Sequence, residues 1–460
     1  VPLNLKWPEA RLVELLEELQ LDALVLDKIG AAKLTDTVRA AAPNLLIVSD
    51  DTPLMSGTVR FEDMPNAVIT EPVKRNLSDL GYIVFTSGST GTPKGVMVSC
   101  GSLFEYLEQT QKWVDLNEND KIAEAHDVTF DLSIHNMFLA WQRGAALYLM
   151  SSLDLLAPHA FIRKHEISIW MSVPTIVNTM RRSDILQDDM FPTLRLSIFC
   201  GEPLAMSTVL DWAKAAPNSA VDNIYGPTEC TVVCTRQRLR ETPVVTIDRQ
   251  ILAIGKPYEN FVVSIRDKEG RVLDDGETGE IVIASCQLSD GYFNRPEQTA
   301  QSFRVIDGVR WYFTGDLGYR DANGVFHHMG RTDNQVKLKG NRVELEEVEA
   351  HFRKACETDL ACVVAWPIIE GSVQGLVGFV AGALHDRAFI QSVMKETLPE
   401  YMVPDQIELL DELPVNINGK IDRGALKTLL DSPATDEPID GQKEVSAPTL
   451  VPDLAETIAV

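Results

Sequence analysis

Tyr82-Ile83-Val84-Phe85-Thr86-Ser87-Gly88-Ser89-Thr90-Gly91-Thr92-Pro93-Lys94-Gly95 is the stretch on which the reading of this chain turns. An apolar run with the composition of a buried strand leads straight into hydroxyls and glycines, then a lysine. Glycines let a loop come close to phosphates, and successive backbone N–H groups can ring an anion. Thr86, Ser87, Ser89, Thr90 and Thr92 add hydroxyl donors, and Lys94 adds charge. The order is not that of the Walker loop, which needs four residues between Gly and Gly-Lys-Ser/Thr and a helix straight after. For any single loop of this kind, a polar turn is the plain alternative.

Working outward, strand-like apolar runs at 23–26, 45–49, 83–86, 146–150, 167–171 and 196–200 alternate with segments of helical apolar spacing such as 8–19 and 101–113. That alternation reads as βαβ units, hence parallel sheets covered by helices. Over 251–326 the pattern changes to short β-rich runs with turn pairs such as Asp275-Gly276 and Asn323-Gly324. A compact unit follows Asp333, with an expected helix over 343–354, strands at 360–366, 376–381 and 406–410, and a helix over 389–398. The expected class is α/β: a large N-terminal domain of βαβ sheets plus a β-subdomain over residues 1–332, then a small α+β domain over 333–430. Residues 431–460 carry a net charge of −6 and no aromatics, and read as an acidic, Pro-rich tail or linker.

At 460 residues the chain is too long for one small core. Forty-two Lys and Arg against 67 Asp and Glu give a net charge of −25, which argues against nucleic acid or an anionic membrane as partner. No apolar run approaches the roughly 18 residues of a membrane span. The seven cysteines lack any paired CxxC spacing and read as free thiols of a reducing, cytoplasmic compartment.

Four further motifs follow the glycine-rich loop in order: Tyr225-Gly226-Pro227-Thr228-Glu229, Tyr312-Phe313-Thr314-Gly315-Asp316, Gly330-Arg331-Thr332-Asp333, and Asn418-Gly419-Lys420-Ile421-Asp422. Each alone is a turn with a charge beside it. Together, in this order, they resemble the adenylate-forming superfamily: adenylation domains of nonribosomal peptide synthetases, acyl-CoA ligases and luciferases. Val1-Pro2-Leu3 with Trp7-Pro8 and Arg11 resembles a motif that normally lies inside the large domain, so family sequence is expected upstream of Val1.

The resemblance implies an enzyme that uses ATP and Mg²⁺. A carboxylate attacks the α-phosphate, pyrophosphate leaves, and a thiol then attacks the acyl-adenylate. Thr86, Ser87, Gly88, Ser89, Thr90, Gly91 and Lys94 would hold the β- and γ-phosphates. Thr228 would bond the α-phosphate and Glu229 the metal, a hard cation suited to a carboxylate plus phosphate oxygens. Tyr225 would stack on adenine and Asn223 read its amino edge. Asp316 would take the ribose hydroxyls, supported by Arg331. Lys420 would reach from the small domain to the substrate carboxylate and the phosphate. Asp333 matches the hinge of a mobile small domain, and Lys337-Leu338-Lys339-Gly340 the loop that swings in for the second half-reaction; a charged helix start is the alternative for those lysines.

Phe130-Asp131-Leu132-Ser133 bears on the substrate. In amino-acid-activating members an aspartate here pairs with the α-ammonium; without that partner a buried carboxylate is costly. A helix N-cap is the alternative for Asp131. By position the side-chain pocket comprises Leu132, His135, Met171, Ile198, Cys200, Ile224, Val232 and Val233, nearly all apolar. His135 is the one polar member and reads as a packing histidine. The set suggests a small apolar amino acid, proline first and alanine second, closest to stand-alone prolyl- or D-alanyl-carrier-protein ligases. No carrier-protein signature occurs in the chain, so the phosphopantetheinylated carrier protein is expected in trans or beyond the C-terminus. Other classes are an acyl- or aryl-CoA ligase and a catalytically silent scaffold; intact Glu229, Asp316 and Lys420 argue against the latter.

Overall fold

The structure is a computed structural model that describes residues 1–49, 51–55, 57–64, 71, 73–88, 93–239, 243–416 and 421–431. Ser89, Thr90, Gly91 and Lys420 of the expected site, and the tail from 432 onward, lie outside the described residues.

The α/β expectation holds. A seven-stranded sheet runs Lys256–Pro257, Thr235–Arg238, Ala220–Tyr225, Leu196–Phe199, Ile169–Ser172, Lys121–Glu124, Ala146–Leu149. Its five strands from Ala220–Tyr225 to Ala146–Leu149 pair in parallel, as crossover helices require. Strands Ile169–Ser172 and Leu196–Phe199 are buried at every position, since helices cover both faces. Trp170, Phe191, Phe199 and Trp212 fill one face. Leu132, Met171, Ile198, Cys200, Ile224, Val232 and Val233 fill the other, with Tyr106.

A second, three-stranded parallel sheet joins Ala23–Leu26, Leu45–Val48 and Thr58–Arg60. Strand Leu80–Thr86 runs into the glycine-rich loop and returns antiparallel as Lys94–Ser99, whose partner on the other side is Gly291–Tyr292. The β-rich region forms an antiparallel sheet in which Val309–Arg320 lies between Gly279–Ser285 and Phe303–Ile306 and also pairs with Phe326–Arg331.

Past Asp333 the chain builds two small sheets. In one, Asn341–Glu344, Gln335–Leu338, Ser372–Val373 and Ile368–Ile369 lie side by side. In the other, Leu376–Ala381 lies between Ala361–Ala365 and Gln406–Leu410. Helices Leu345–Cys356 and Arg387–Thr397 pack on a core of Val348, Phe352, Val363, Leu376 and Ile390. The expected helix over 343–354 begins two residues later. Val343 and Glu344 instead pair with Val336 and Gln335 across a tight hairpin. Lys339 and Gly340 turn that hairpin with φ of 51° and 82°, the left-handed pair that a two-residue turn demands. The charged-helix alternative for these lysines is thereby excluded.

Helix Glu9–Leu19 ties the parts together. Leu12, Leu15, Leu16 and Leu19 recur at helical spacing and are buried. Arg11 on the same helix is buried too, and its guanidinium reaches Glu347 of the small unit at 2.8 Å.

Candidate functional site

A cleft opens between the seven-stranded sheet, the start of the glycine-rich loop and the Gln335–Glu344 hairpin. Thr86, Ser87, Asp131, Leu132, Cys200, Tyr225, Thr228, Val232, Asp316 and Arg331 all line it, joined by Lys337, Gly340 and Arg342 from the hairpin. An adjoining pocket is lined by Asn223, Ile224, Tyr225, Asp316 and His328. Residues drawn from six separate motifs thus converge on one place.

Strand Ala220–Tyr225 delivers the aromatic end of the site. Gly226 follows because a Cβ there would lie 2.4 Å from the Cα of Val233 and 2.6 Å from the carbonyl oxygen of Val232. The chain then makes a single 3-10 turn, Thr228–Cys230, and leaves through Thr231 and Val232 with φ of 57° and 72°. A β-branched residue with such a φ is a real outlier. It is held by the Thr231 hydroxyl, which donates to the Gln287 carbonyl at 2.6 Å, and it aims Val232 into the cleft.

Asp316 sits in a dense polar cage. Arg331 donates to one carboxylate oxygen at 2.6 Å, and the Tyr225 hydroxyl to the other at 2.5 Å. Burial alone would push this carboxyl up, but Arg331 and His328 beside it hold it far below the usual range. Arg331 is itself fixed by Asp333, which accepts from Nε at 2.7 Å and from Nη2 at 2.8 Å. His328 accepts at Nδ1 from Arg249 at 2.8 Å, which leaves its Nε2 proton facing Asp316. Asn223 lines the adjoining pocket while its amide donates to the Ala253 carbonyl at 3.0 Å.

Glu229 is fully buried and grasped by a residue absent from the sequence-based set. Arg342 Nη1 contacts both its oxygens, at 3.0 and 2.9 Å, and the Tyr292 hydroxyl donates to it at 2.8 Å. Against the burial cost, Arg342, Lys94 and Tyr292 bring its carboxyl down to about 2. Among the described residues no group of three or more His, Cys, Asp or Glu side chains could hold a metal. One carboxylate is nonetheless what a phosphate-bound Mg²⁺ takes from a protein. The donor set fits that group, with Arg342 supplying the positive charge at Glu229 in this arrangement.

Asp131 is the first residue of helix Asp131–Arg143, and its residue before, Phe130, makes no side-chain cap. Among the described residues no Lys, Arg or His lies within ion-pair distance of it. Burial raises its carboxyl to about 6, with the neighbouring Glu229 adding to the rise and the Thr228 hydroxyl and Lys337 opposing it. The ionised form therefore costs about 3 kcal/mol relative to an ordinary aspartate.

The side-chain pocket divides. Leu132, Cys200 and Val232 face the cleft. Met171, Ile198 and Val233 stand behind them in the apolar cluster, and Ile224 faces the adjoining pocket. His135 is tied within the core: its Nδ1 meets the Tyr106 hydroxyl at 2.5 Å, and burial drives it down to about 3, so it is neutral. Cys200 is a buried thiol pushed up to about 12.

The small unit's hairpin reaches into the same space. The N–H of Gly340 donates to Glu202 at 2.6 Å, and Glu202 also accepts from the N–H and hydroxyl of Thr175. Gly88, at the start of the glycine-rich loop, donates to Glu347 at 3.2 Å, and the Ser87 hydroxyl to the Arg342 carbonyl at 2.7 Å. Lys94 lies 3.8 Å from Glu344 and 5.0 Å over the Tyr292 ring, off the cleft lining. Arg342, Glu202 and Glu347 were missed by the sequence reading. Only Arg342, two residues past the Lys337–Gly340 motif, carried a hint.

Comparison with known proteins agrees with this geometry. Residues 1–293 match the family model described as AMP-binding enzyme. The D-alanine–D-alanyl carrier protein ligase of Bacillus velezensis is 32% identical over 355 residues, 75% of this chain and 70% of that protein. The delta-poly-L-ornithine synthetase of Acinetobacter baumannii is 32% identical over 386 residues, 79% of this chain but 27% of that protein. Among solved structures, the Vibrio cholerae adenylation domain AlmE, in complex with glycyl-adenosine-5'-phosphate, superposes with a TM-score of 0.85 at 30% identity, covering 94% of this chain and 83% of that one. The amide bond synthetase McbA from Marinactinospora thermotolerans, at 21% identity, TM-score 0.77 and coverage of 92% and 83%, shares the fold. The chain belongs to the AMP-binding enzyme family and is an AMP-forming amino-acid ligase.

Proposed function

We propose that this enzyme joins a small apolar α-amino acid to AMP and passes it to the phosphopantetheine thiol of a carrier protein. The observation that carries the amino-acid half is Asp131, a buried carboxylate with no cation of the described chain against it. A substrate ammonium supplies the missing charge. Leu132, Cys200 and Val232 leave no charged group for a side chain beyond it. Because His135 is tied to Tyr106, it adds bulk rather than a polar contact. The relatives named for D-alanine and the domain holding a glycyl-adenylate move alanine ahead of proline as the substrate.

On this reading Tyr225 flanks adenine, and Asp316, held ionised by Arg331, accepts from the ribose hydroxyls. Thr228 donates toward the α-phosphate, and Lys94 with the 86–91 loop binds the outer phosphates. Bound at Glu229, Mg²⁺ would neutralise phosphate charge. The protein's task is positioning and charge, as in other phosphoryl-type transfers. Lys420 bridges the substrate carboxylate and the phosphate during adenylation.

We assign the described arrangement to the second half-reaction. Lys337–Gly340 stands in the cleft, and Arg342 occupies Glu229, which adenylation needs for the metal. Residues 1–332 and 333–430 are then two domains that turn about Asp333 between the two chemistries. The carrier protein approaches near Lys337–Gly340. Seven free thiols accord with a cytoplasmic enzyme, and among the described residues no helix is long and apolar enough to cross a membrane.

The test is ATP–pyrophosphate exchange across a full amino-acid panel, then loading of a phosphopantetheinylated carrier protein against free coenzyme A. Exchange is expected with alanine or proline and loading with the carrier. Exchange with fatty or aryl acids alone, or saturable transfer to coenzyme A alone, would make the enzyme an acyl-CoA ligase.

A further inference from the structure

The hairpin that enters the cleft has a neighbour in its own sheet. Strand Gln335–Leu338 pairs in parallel with Ser372–Val373, through Leu338 and Val373, and the latter pairs with Ile368–Ile369. The second hairpin projects onto the large domain, away from the reacting groups. Its two turn residues are Glu370 and Gly371, with φ of 50° and 79°. Asn or Gly is the residue such a turn favours at the first position; a glutamate there sits in a conformation that L side chains resist.

The side chain explains the choice. One Glu370 oxygen pairs with Arg181 at 3.0 Å, and the other accepts from the Ser207 hydroxyl at 2.6 Å. Arg181 is already set in place, since its Nε donates to Asp211 at 2.9 Å and its Nη1 reaches Asn178 and Thr208, each at 3.2 Å. Arg182, next to it, donates to Gln374 at 3.0 Å. A preformed socket at the ends of two large-domain helices therefore receives the tip of a small-domain hairpin.

We infer that Glu370 is a positioning residue for thiol transfer: it latches the small domain onto Arg181 and Ser207 and so holds the Lys337–Gly340 hairpin in the cleft. The inference rests on the two-orientation reading above. One sheet carries both hairpins, joined through Leu338 and Val373, so fixing the outer one constrains the inner one. An exposed ion pair alone is weak, and the effect comes from several contacts closing at once on a prearranged arginine.

Two variants test it. In a Cys286→Ser background, Ser207→Cys with Glu370→Cys should be joined by a short bismaleimide, while neither single cysteine gives the product. The joined protein should lose amino-acid-dependent ATP–pyrophosphate exchange yet still transfer a supplied aminoacyl-adenylate to pantetheine. No joining, or exchange that persists in the fully joined protein, would overturn the latch. Separately, Glu370→Lys should slow transfer from supplied adenylate about fivefold to tenfold and leave exchange unchanged; equal loss in both half-reactions would mean mere destabilisation and overturn it. Joining is read without any substrate, so a wild-type enzyme silent toward every amino acid would count against the ligase reading and not against the latch contact.

Discussion

Asp316 and Asp131 line the same cleft and are both buried, yet they are provided for in opposite ways. Asp316 has Arg331, His328 and Tyr225 around it and stays ionised far below the usual range. Asp131 has no cation of the described chain within ion-pair distance, Lys337 opposing the rise only from farther off, and its carboxyl rises to about 6. Glu229 sides with Asp316, since Arg342 holds it at about 2. In this arrangement the nucleotide half of the cleft is thus charge-complete, and in the adenylation orientation Mg²⁺ would take the place of Arg342 at Glu229. The amino-acid half is left one positive charge short, which is where a ligand's own charge earns selectivity.

The strongest way to break this contrast is at the cation that belongs to neither half. Lys420→Ala should lower adenylation about a thousandfold, the order lost with a main charge-stabilising donor. Transfer from supplied adenylate should fall much less. Equal loss in both would deny Lys420 a role confined to the first half-reaction.

Next comes Asp131→Asn, which keeps the shape and removes the charge. Its kcat/KM for the amino acid should fall about a hundredfold or more, since one partner of a buried pair is worth roughly 3 kcal/mol. The KM for ATP should hold. A variant with unchanged amino-acid kinetics would remove the ammonium-pairing role.

Stability should move in opposite directions at the two carboxylates. Arg331→Met strands Asp316 without its main partner and should cost about 3 kcal/mol in thermal or denaturant unfolding. Asp131→Asn should stabilise the ligand-free protein by about 1–3 kcal/mol at pH 8. The sign follows from the raised carboxyl: its favourable contribution is present below the ordinary aspartate range and is lost as pH climbs through about 6. The gain from Asn should therefore shrink toward pH 5. Destabilisation by both variants would mean that Asp131 has an internal partner after all.

The smallest effect is the pH dependence of binding. The ammonium needs ionised Asp131, so amino-acid affinity should fall about tenfold per pH unit below pH 6 while ATP affinity stays level. Titration calorimetry at pH 5, 6 and 7 reads both.

Much of the site was legible because its chemistry sits in short runs. Tyr225 to Glu229 and Phe130 to Ser133 carry their groups within five residues, and the apolar run at 83–86 leads into the glycine-rich loop. The hidden part is what the small unit adds. Arg342 to Glu229 spans 113 residues, Gly340 to Glu202 spans 138, Arg11 to Glu347 spans 336, and Arg181 to Glu370 spans 189. Each is an ordinary surface charge or turn residue until the fold brings it to its partner. His135 shows the converse: the packing role read from its apolar surroundings is what the structure gives it, tied to the Tyr106 hydroxyl 2.5 Å away.

The missing charge can be tested by withholding the ligand's own. ATP–pyrophosphate exchange should be measured with the preferred amino acid and with the same acid lacking its amino group, on the wild-type enzyme and on Asp131→Asn. Strong exchange is expected with the amino acid, none above background with the des-amino acid, and a much smaller difference between the two acids in the variant. Comparable exchange with both acids on the wild-type enzyme would contradict the ammonium-pairing role of Asp131.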